Sequence, residues 1–96
     1  MSLRDDLHSR RDELLAIATR HGASNVRLFG SVVRDEQRMD SDVDFLIDMD
    51  EGRGFGDYLA LVEELERALA RRVDIVIDRS LSAHFRPFIE AEARPL

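Results

Sequence analysis

The 96-residue sequence contains no cysteine, and all 14 of its basic residues are arginine. The first absence excludes disulfides, thiolate nucleophiles and cysteine-bound zinc. The absence of lysine excludes P-loop and Schiff-base chemistry, which need that residue. Genomic codon bias is the simpler explanation of this absence. No apolar run approaches the ~18 residues that a membrane span requires, and the acidic start lacks the apolar centre of a signal peptide. We therefore expect a cytoplasmic protein that does not contact a membrane.

A net charge of −6 argues against nucleic acid as a partner. Binding to a nucleic-acid backbone depends on a basic surface that releases counterions, so direct nucleic-acid binding is not expected. An acidic protein can still bind a nucleotide when metal ions screen its carboxylates from the phosphates. We interpret residues 1–96 as a single domain, because a chain of this length forms one modest core and has no room for a separate substrate domain.

Hydrophobic periodicity and turn residues divide the chain into helices, strands and loops. The predicted elements are a helix over 4–20, a strand at 25–29, a helical turn over 31–36, a polar loop at 37–41, a strand over 42–49, a loop at 50–56, a helix over 55–71, a strand at 73–77 and a short helix within 81–93. This order predicts an α/β (α+β) domain with a small sheet, helices packed on one face and acidic side chains on the other.

The second predicted strand has the clearest pattern, because apolar and acidic residues alternate along it. One face has Val43, Phe45, Ile47 and Met49, and the other has Asp42, Asp44, Leu46 and Asp48. Asp42 and Asp44 therefore project to the same side, with Cα atoms about 6–7 Å apart. Asp74 lies on the acidic face of the third strand. Asp48 and Asp78 come later in their strands and are expected to be solvated.

Two carboxylates so close together repel each other unless a cation lies between them. Mg²⁺ prefers oxygen ligands and is usually held by one or two carboxylates together with substrate phosphates. Two such ions about 4 Å apart would stabilise the attacking and leaving oxygens of a nucleotidyl transfer, and a third carboxylate would bind the second ion or orient the acceptor hydroxyl. We expect Asp42 and Asp44 to bind the metal, with Asp74 as the third carboxylate.

Gly30 and Ser31 end the first strand and open a turn. A residue without a side chain lets backbone N–H groups approach a phosphate closely, and the serine hydroxyl adds a donor. Arg34 would direct its guanidinium to the same phosphates. A lone Asp-x-Asp is usually a solvated strand face and a lone Gly-Ser is usually a turn, so the hypothesis depends on their occurring together in this order.

The segment GSVVRDEQRMDSDVD resembles the signature of the polymerase-β-type nucleotidyltransferases, in which Asp-x-Asp follows Gly-Ser after ten residues. The size of the chain and the order of its elements resemble the minimal nucleotidyltransferase (MNT) branch of that superfamily. The resemblance extends from the first helix through NVRLFGSVVR, SDVDFLI and RRVDIVI to the terminal EAEARPL. It implies the nucleotidyltransferase fold, with a small mixed sheet.

The resemblance also implies roles for the residues that match the family's motifs. Gly30 and Ser31 would bind the phosphates of the nucleotide. Asp42 and Asp44 would bind magnesium, and Asp74 would complete the triad.

Two further positions near the Gly-Ser pair bear on the resemblance. Arg34 matches a basic position that is frequent in the family. Asp35 departs from the glycine that many members have after that arginine, and it places an acid near the phosphate loop.

The MNT branch is commonly paired with a helical HEPN-domain ribonuclease toxin. The resemblance implies an antitoxin that transfers AMP from ATP to a tyrosine of such a toxin, within a hetero-oligomer. The missing substrate domain supports a protein acceptor, because something else must then hold the acceptor. Two alternatives remain open: a binding module that neutralises its toxin by occlusion without chemistry, and an enzyme that modifies a small molecule such as an aminoglycoside.

Three other features of the sequence have less specific interpretations. GRGFG, within the loop at 50–56, imitates a dinucleotide-binding fingerprint, but its spacing is G-x-G-x-G, so we prefer a flexible loop that flanks the nucleotide or the partner. Tyr58 is expected in the core. Phe85, Phe88 and Ile89 would form either core or a partner surface, and the sequence does not decide between these.

Overall fold

The computed structural model describes residues 2–34, 36 and 42–96. Within these ranges the chain forms α1 (Leu3–Ser9), α2 (Arg11–Arg20), β1 (Ala23–Phe29), α3 (Ser31–Arg34), β2 (Val43–Met49), α4 (Phe55–Leu69), β3 (Val73–Ile77), a 3-10 turn (Asp78–Ser80), α5 (Arg86–Glu92) and β4 (Arg94–Pro95). The loop predicted at 37–41 lies outside the described residues. None of the helices described is long and apolar enough to cross a membrane.

The strands form one sheet in the order β3-β2-β1-β4. β1 is antiparallel to both of its neighbours, whereas β2 is parallel to β3, so the sheet is mixed, as expected. A parallel pair needs a crossover connection, which α4 provides between β2 and β3. The register shifts in β1 between Ser24 and Arg27, where Asn25 has a φ of +50° that a short polar side chain tolerates.

The apolar face of the sheet packs against helices, as the alternation in β2 predicts. Val43, Phe45, Ile47 and Met49 are all buried. The helices contribute Leu7, Leu14, Ile17, Leu61 and Leu65 to the same core. Burying one such side chain contributes about 1.5–3 kcal/mol, so this interior stabilises the fold against the repulsion on the acidic face. Leu46 is also buried, although it lies on the acidic face.

The first predicted helix is wrong in one respect, because two helices replace it with a break at Arg10. Arg10 leaves the helical conformation, with φ −100° and ψ 16°. Contacts made by the two halves explain the break: His8 Nδ1 donates to an oxygen of Leu96 at 2.8 Å, and Arg10 Nη2 donates to the Ala68 carbonyl at 2.8 Å. Helical periodicity reports neither contact, since both partners are distant in the sequence.

The fourth strand and one helix residue also differ from the prediction. The backbone of β4 pairs with Arg27 and Leu28 of β1, a contact that two residues with a proline do not signal locally. Phe55 begins the apolar pattern that predicts the helix over 55–71, but as the first residue of α4 it is 73 % exposed. Tyr58 is half-buried, and its hydroxyl donates to the Ile75 carbonyl at 2.8 Å.

Candidate active site

The strand register aligns three positions that are distant in the sequence. Phe29 of β1 lies opposite Asp44 of β2, and Asp44 lies opposite Asp74 of β3. Neighbouring strands are about 4.8 Å apart, and paired residues direct their side chains to the same face. Asp44 and Asp74 are therefore neighbours across the sheet, and Gly30 follows Phe29 directly at the same end.

Gly30 lies against Asp44. It has a φ of +78°, and a Cβ added at this position would overlap the Asp44 carboxylate. Both the backbone conformation and the close approach require a residue without a side chain. The two halves of the sequence motif, Gly-Ser and Asp-x-Asp, are thus in direct contact in the fold.

The turn after Gly30 is fixed by its own hydrogen bonds and by one buried side chain. The backbone N–H groups of Val33 and Arg34 donate to the Gly30 carbonyl at 3.1 and 3.3 Å. Val32 is completely buried. Ser31, the first residue of α3, is half-buried. The fold therefore presents Gly30 and Ser31 beside the acids, where the sequence places a phosphate-binding turn.

The acids of the polar face fall into two groups. In the described parts of the chain, the carboxylates of Asp42, Asp44 and Asp74 have no recorded salt bridge, and Asp42 and Asp74 are exposed. Asp48 and Asp78 were expected to be solvated. The Asp48 side chain is 49 % exposed and that of Asp78 is 26 % exposed, and both also pair with arginines. Arg27 contacts Asp48 at 3.0 Å and Asp78 at 3.1 Å, and Arg86 contacts Asp78 at 2.9 Å.

These pairs have a structural explanation and a chemical consequence. Arg27 shares the polar face with both acids and is only 16 % exposed, so it bridges β2 and the turn after β3. The hydrogen bond from Arg86, followed by that from Arg27, lowers the pKa of Asp78. The arginines thus neutralise the far end of the acidic face and leave the end near Gly30 negative.

Asp44, at this negative end, has a raised pKa. Burial, followed by the charges of Asp74 and Asp42, raises the pKa of its carboxyl to about 6, while Arg34 acts in the opposite direction. A carboxylate that is both desolvated and surrounded by like charge is stabilised by a cation. This end of the sheet is therefore prepared to bind positive charge.

Arg34 extends from α3 toward two glutamates. Its Nε donates to Glu36 Oε2 at 3.1 Å, and its Nη1 donates to Glu92 Oε2 at 2.6 Å. The other oxygen of Glu92 accepts the backbone N–H of Gly30. The two groups that the sequence assigned to phosphates, the Gly30 amide and the Arg34 guanidinium, are thus joined by one carboxylate.

Sequence reasoning missed Glu92. The residue ends α5 and lies 62 positions after Gly30 and 58 after Arg34. No local pattern indicates it, since a glutamate at the end of a short helix is ordinarily a solvated residue. Only the return of the chain along β1 through β4 brings it to the site. Asp35, the position where the sequence departs from the family pattern, lies outside the described residues.

The carboxylate oxygens at this end of the sheet are suitable ligands for magnesium. Asp42, Asp44 and Asp74 offer only oxygen atoms, and burial together with the charges of Asp74 and Asp42 disfavours the ionised form of Asp44. Among the described residues, no three acidic or histidine side chains are gathered closely enough to hold an ion by themselves. The chemistry therefore fits an ion held by one or two of these carboxylates and completed by phosphate oxygens and water.

The loop before α4 lies away from these acids. β2 runs from the acids to this loop over seven residues, a length of about 20 Å. Gly54 caps α4 together with Asp57, whose side chain accepts the Gly54 N–H at 3.1 Å. The glycine-rich segment is thus a helix start at the opposite end of the sheet.

The fold and this arrangement of residues define a nucleotidyltransferase. A model of the nucleotidyltransferase domain family matches residues 11–96, so the chain belongs to that family. A solved structure designated a minimal nucleotidyltransferase superimposes with a TM-score of 0.87 at 45 % identity, covering 100 % of this chain and 97 % of that one.

Two curated relatives have more specific designations. Protein adenylyltransferase MntA of Thermococcus cleftensis is 42 % identical over 64 residues, which are 67 % of this chain and 65 % of MntA. The Methanocaldococcus jannaschii protein MJ0435, designated a protein adenylyltransferase, is 32 % identical over 76 residues, or 79 % of this chain and 82 % of that protein. A toxin–antitoxin complex with AMP-PNP shares the fold, with a TM-score of 0.74 at 23 % identity over 91 % of this chain and 69 % of that one.

Proposed function

We propose that this nucleotidyltransferase transfers AMP from ATP to a protein and that it uses magnesium. One observation carries the proposal: Gly30 is in contact with Asp44, which itself neighbours Asp74 across the sheet. A turn suited to phosphates therefore adjoins carboxylates suited to a metal ion. Nucleotidyl transfer needs these two features side by side, because the metal must neutralise the phosphates that the turn holds.

Each site residue has a role in this proposal. The Gly30 amide, the Ser31 hydroxyl and the Arg34 guanidinium bind the phosphates of ATP. Asp42 and Asp44 hold the magnesium, which when bound neutralises charge on the phosphates. Asp74 is exposed beside Asp44, so it is accessible to an incoming acceptor hydroxyl and orients it.

The reaction requires little from the protein beyond position and charge. The acceptor oxygen attacks the α-phosphorus while the bond from that phosphorus to the bridging oxygen of the β-phosphate breaks. Pyrophosphate leaves with the bonding electrons, and the acceptor proton passes to Asp74. Phosphate binding at Gly30 and Arg34 keeps the leaving group in line with the attacking oxygen.

The acceptor we propose is a tyrosine of a HEPN-domain toxin, so that the protein acts as an antitoxin in a complex with that toxin. The relatives designated protein adenylyltransferases support a protein acceptor. The toxin–antitoxin complex of the same fold, which contains AMP-PNP, supports a toxin partner and an adenine nucleotide.

A second candidate is an antitoxin that neutralises its toxin by occlusion without chemistry. The contact of Glu92 with both Gly30 and Arg34 favours it, because an anion already satisfies the groups meant for phosphates. Protection of cells by an Asp42→Asn/Asp44→Asn protein would support occlusion, since the fold would remain while the metal ligands were lost.

Labelled ATP distinguishes the proposed reaction from its rivals. The protein, magnesium and a HEPN-domain protein or lysate are incubated with ATP labelled on the α-phosphate in one tube and on the γ-phosphate in another. Label in a protein band from the α-position alone supports adenylyl transfer. Label from the γ-position would indicate a kinase, and no label in any band with a toxin still neutralised would favour occlusion.

A further inference from the structure

Glu92 contacts both of the groups that are proposed to bind phosphates, the Gly30 amide and the Arg34 guanidinium. One of its oxygens accepts the Gly30 N–H, and the other accepts Arg34 Nη1 at 2.6 Å. Asp57 makes a similar pair of contacts, to the Gly54 N–H and to Arg53, but these cap the start of α4 and lie away from Gly30. A carboxylate with two oxygens on an amide and a guanidinium imitates how a phosphate group would be held at Gly30 and Arg34.

Glu92 and a phosphate group cannot both bind the Gly30 amide at the same time. A backbone amide has one proton, so the Gly30 N–H cannot make a full hydrogen bond to Glu92 and to a phosphate oxygen at once. The Glu92 carboxylate would also repel an arriving phosphate in a region that already contains Asp42, Asp44 and Asp74. The phosphates can therefore reach the amide only when Glu92 has left it.

Glu92 is held in a way that lets it leave. It ends α5, a helix of seven residues in which no residue is buried. The chain beyond it is anchored separately, because Leu96 is buried and its N–H donates to the Val26 carbonyl at 3.1 Å. A rotation of the Glu92 side chain, which is 25 % exposed, releases both contacts without disturbing the core.

We propose that Glu92 occupies the phosphate position of the site until a nucleotide displaces it. The inference rests on the proposed function, since it assumes that phosphates bind at Gly30 and Arg34. Glu92 then acts as an internal competitor that weakens nucleotide binding and keeps the turn and Arg34 in place in the empty enzyme. It is a positioning residue and takes no part in bond making.

The test compares Glu92→Gln with Glu90→Gln. Glutamine at position 92 keeps an oxygen for the Gly30 N–H but loses the charge that competes with phosphate. Glu90 lies on the same helix, is half exposed and pairs with Arg86, so its variant has the same change in net charge away from the turn. Calorimetry measures the binding of an ATP analogue with a methylene group between the α- and β-phosphates, with magnesium, and of adenosine, which has no phosphates.

We expect Glu92→Gln to bind the analogue about tenfold more tightly than the wild type, because a charge-assisted competitor has been removed. Adenosine binding should not change, and Glu90→Gln should match the wild type. A residue that only supported the structure would give weaker binding and a lower melting temperature instead. Analogue affinity that is unchanged or reduced in Glu92→Gln overturns the inference while leaving the proposed function intact. If neither the wild type nor Glu92→Gln binds the analogue, the proposed function is contradicted, and so is the inference that rests on it.

A measurement on the wild type decides the matter if the variant does not fold. The side-chain carboxyl carbon of Glu92 is followed by NMR while the analogue and magnesium are added. Displacement predicts that its resonance moves to the value of a solvated glutamate as the site fills. A resonance that stays in place at saturation overturns the inference.

Discussion

Gly30 packs so closely on the Asp44 carboxylate that no side chain fits at position 30. The contact links the turn that follows β1 to the acid near the start of β2, and it leaves the Gly30 amide beside the negative end of the sheet. Glycine is therefore needed for two separate reasons, its φ of +78° and the space that Asp44 occupies.

Gly30→Ala should destabilise the fold by about 1–3 kcal/mol, because alanine is strained at this φ and its Cβ would displace Asp44. Urea unfolding measures the loss. Gly56→Ala is the matched control, since Gly56 belongs to α4 and nothing lies within 4 Å of a Cβ added there. Alanine there should stabilise the protein by about 0.5–1 kcal/mol. Equal effects of the two substitutions would contradict the contact between Gly30 and Asp44.

Asp44→Asn should stabilise the metal-free protein above pH 6. The folded pKa of Asp44, about 6, is above its usual value of 3.8, so the unfolded state ionises first as pH rises. Stability is then lost between about pH 4 and pH 6 and stays lower at higher pH, by at most about 3 kcal/mol. Urea unfolding in EDTA at several pH values gives the wild-type and variant profiles.

Subtracting the stability profile of Asp44→Asn from that of the wild type isolates the contribution of Asp44 from those of the other acids. Asp78 has a lowered pKa and acts in the opposite direction, with stability lost as pH falls below its usual range. Asp48→Asn serves as the control, because it removes an acid that pairs with Arg27 and should not stabilise the protein. The free energy of unfolding of the wild type minus that of Asp44→Asn should fall between pH 4 and pH 6. A difference that stays constant over this range would contradict the raised pKa of Asp44.

Magnesium should raise the melting temperature of the wild type, since an ion that binds only the folded state stabilises it. At 100 times its dissociation constant the gain is about 2.7 kcal/mol. The Asp42→Asn/Asp44→Asn protein should not respond. Differential scanning fluorimetry with and without magnesium measures both, and an equal rise in the two proteins would place the ion elsewhere.

Asp74→Asn should slow transfer to the acceptor while ATP binding stays within about twofold of the wild type, because Asp74 is assigned to the acceptor hydroxyl. A loss of about 10²–10⁴ in rate is typical for removing such a group. Single-turnover transfer and calorimetry with the ATP analogue separate the two quantities. An equal loss of ATP affinity would instead make Asp74 a ligand of the metal–nucleotide complex.

The sequence predicted those parts of the molecule that depend on local pattern. The alternation along β2 revealed which side is buried, and the turn at Gly30 followed from a glycine after an apolar strand. Contacts between distant segments had no such signal. The break at Arg10 arises from contacts with Ala68, and β4 exists only because the edge of β1 is available.

The same division holds within the candidate site. Gly30, Ser31, Asp42 and Asp44 share one motif and could be found together, whereas Glu92 is joined to them only by the fold. The sequence separated Asp44 from Asp48 by their positions along β2, but it gave no sign that Asp48 pairs with an arginine. That partner is Arg27, which reaches Asp48 from β1.

The most direct test of the account is label transfer from α-labelled ATP by the wild type and two double variants, with the candidate toxin or lysate as acceptor. Asp42→Asn/Asp44→Asn removes the proposed metal ligands, and Asp12→Asn/Asp50→Asn makes the same change in charge at exposed acids outside the site. We expect transfer by the wild type and the second variant, and at least a hundredfold less by the first. Equal transfer by the first variant, folded and at the same concentration, would contradict the assignment of Asp42 and Asp44 to the reaction.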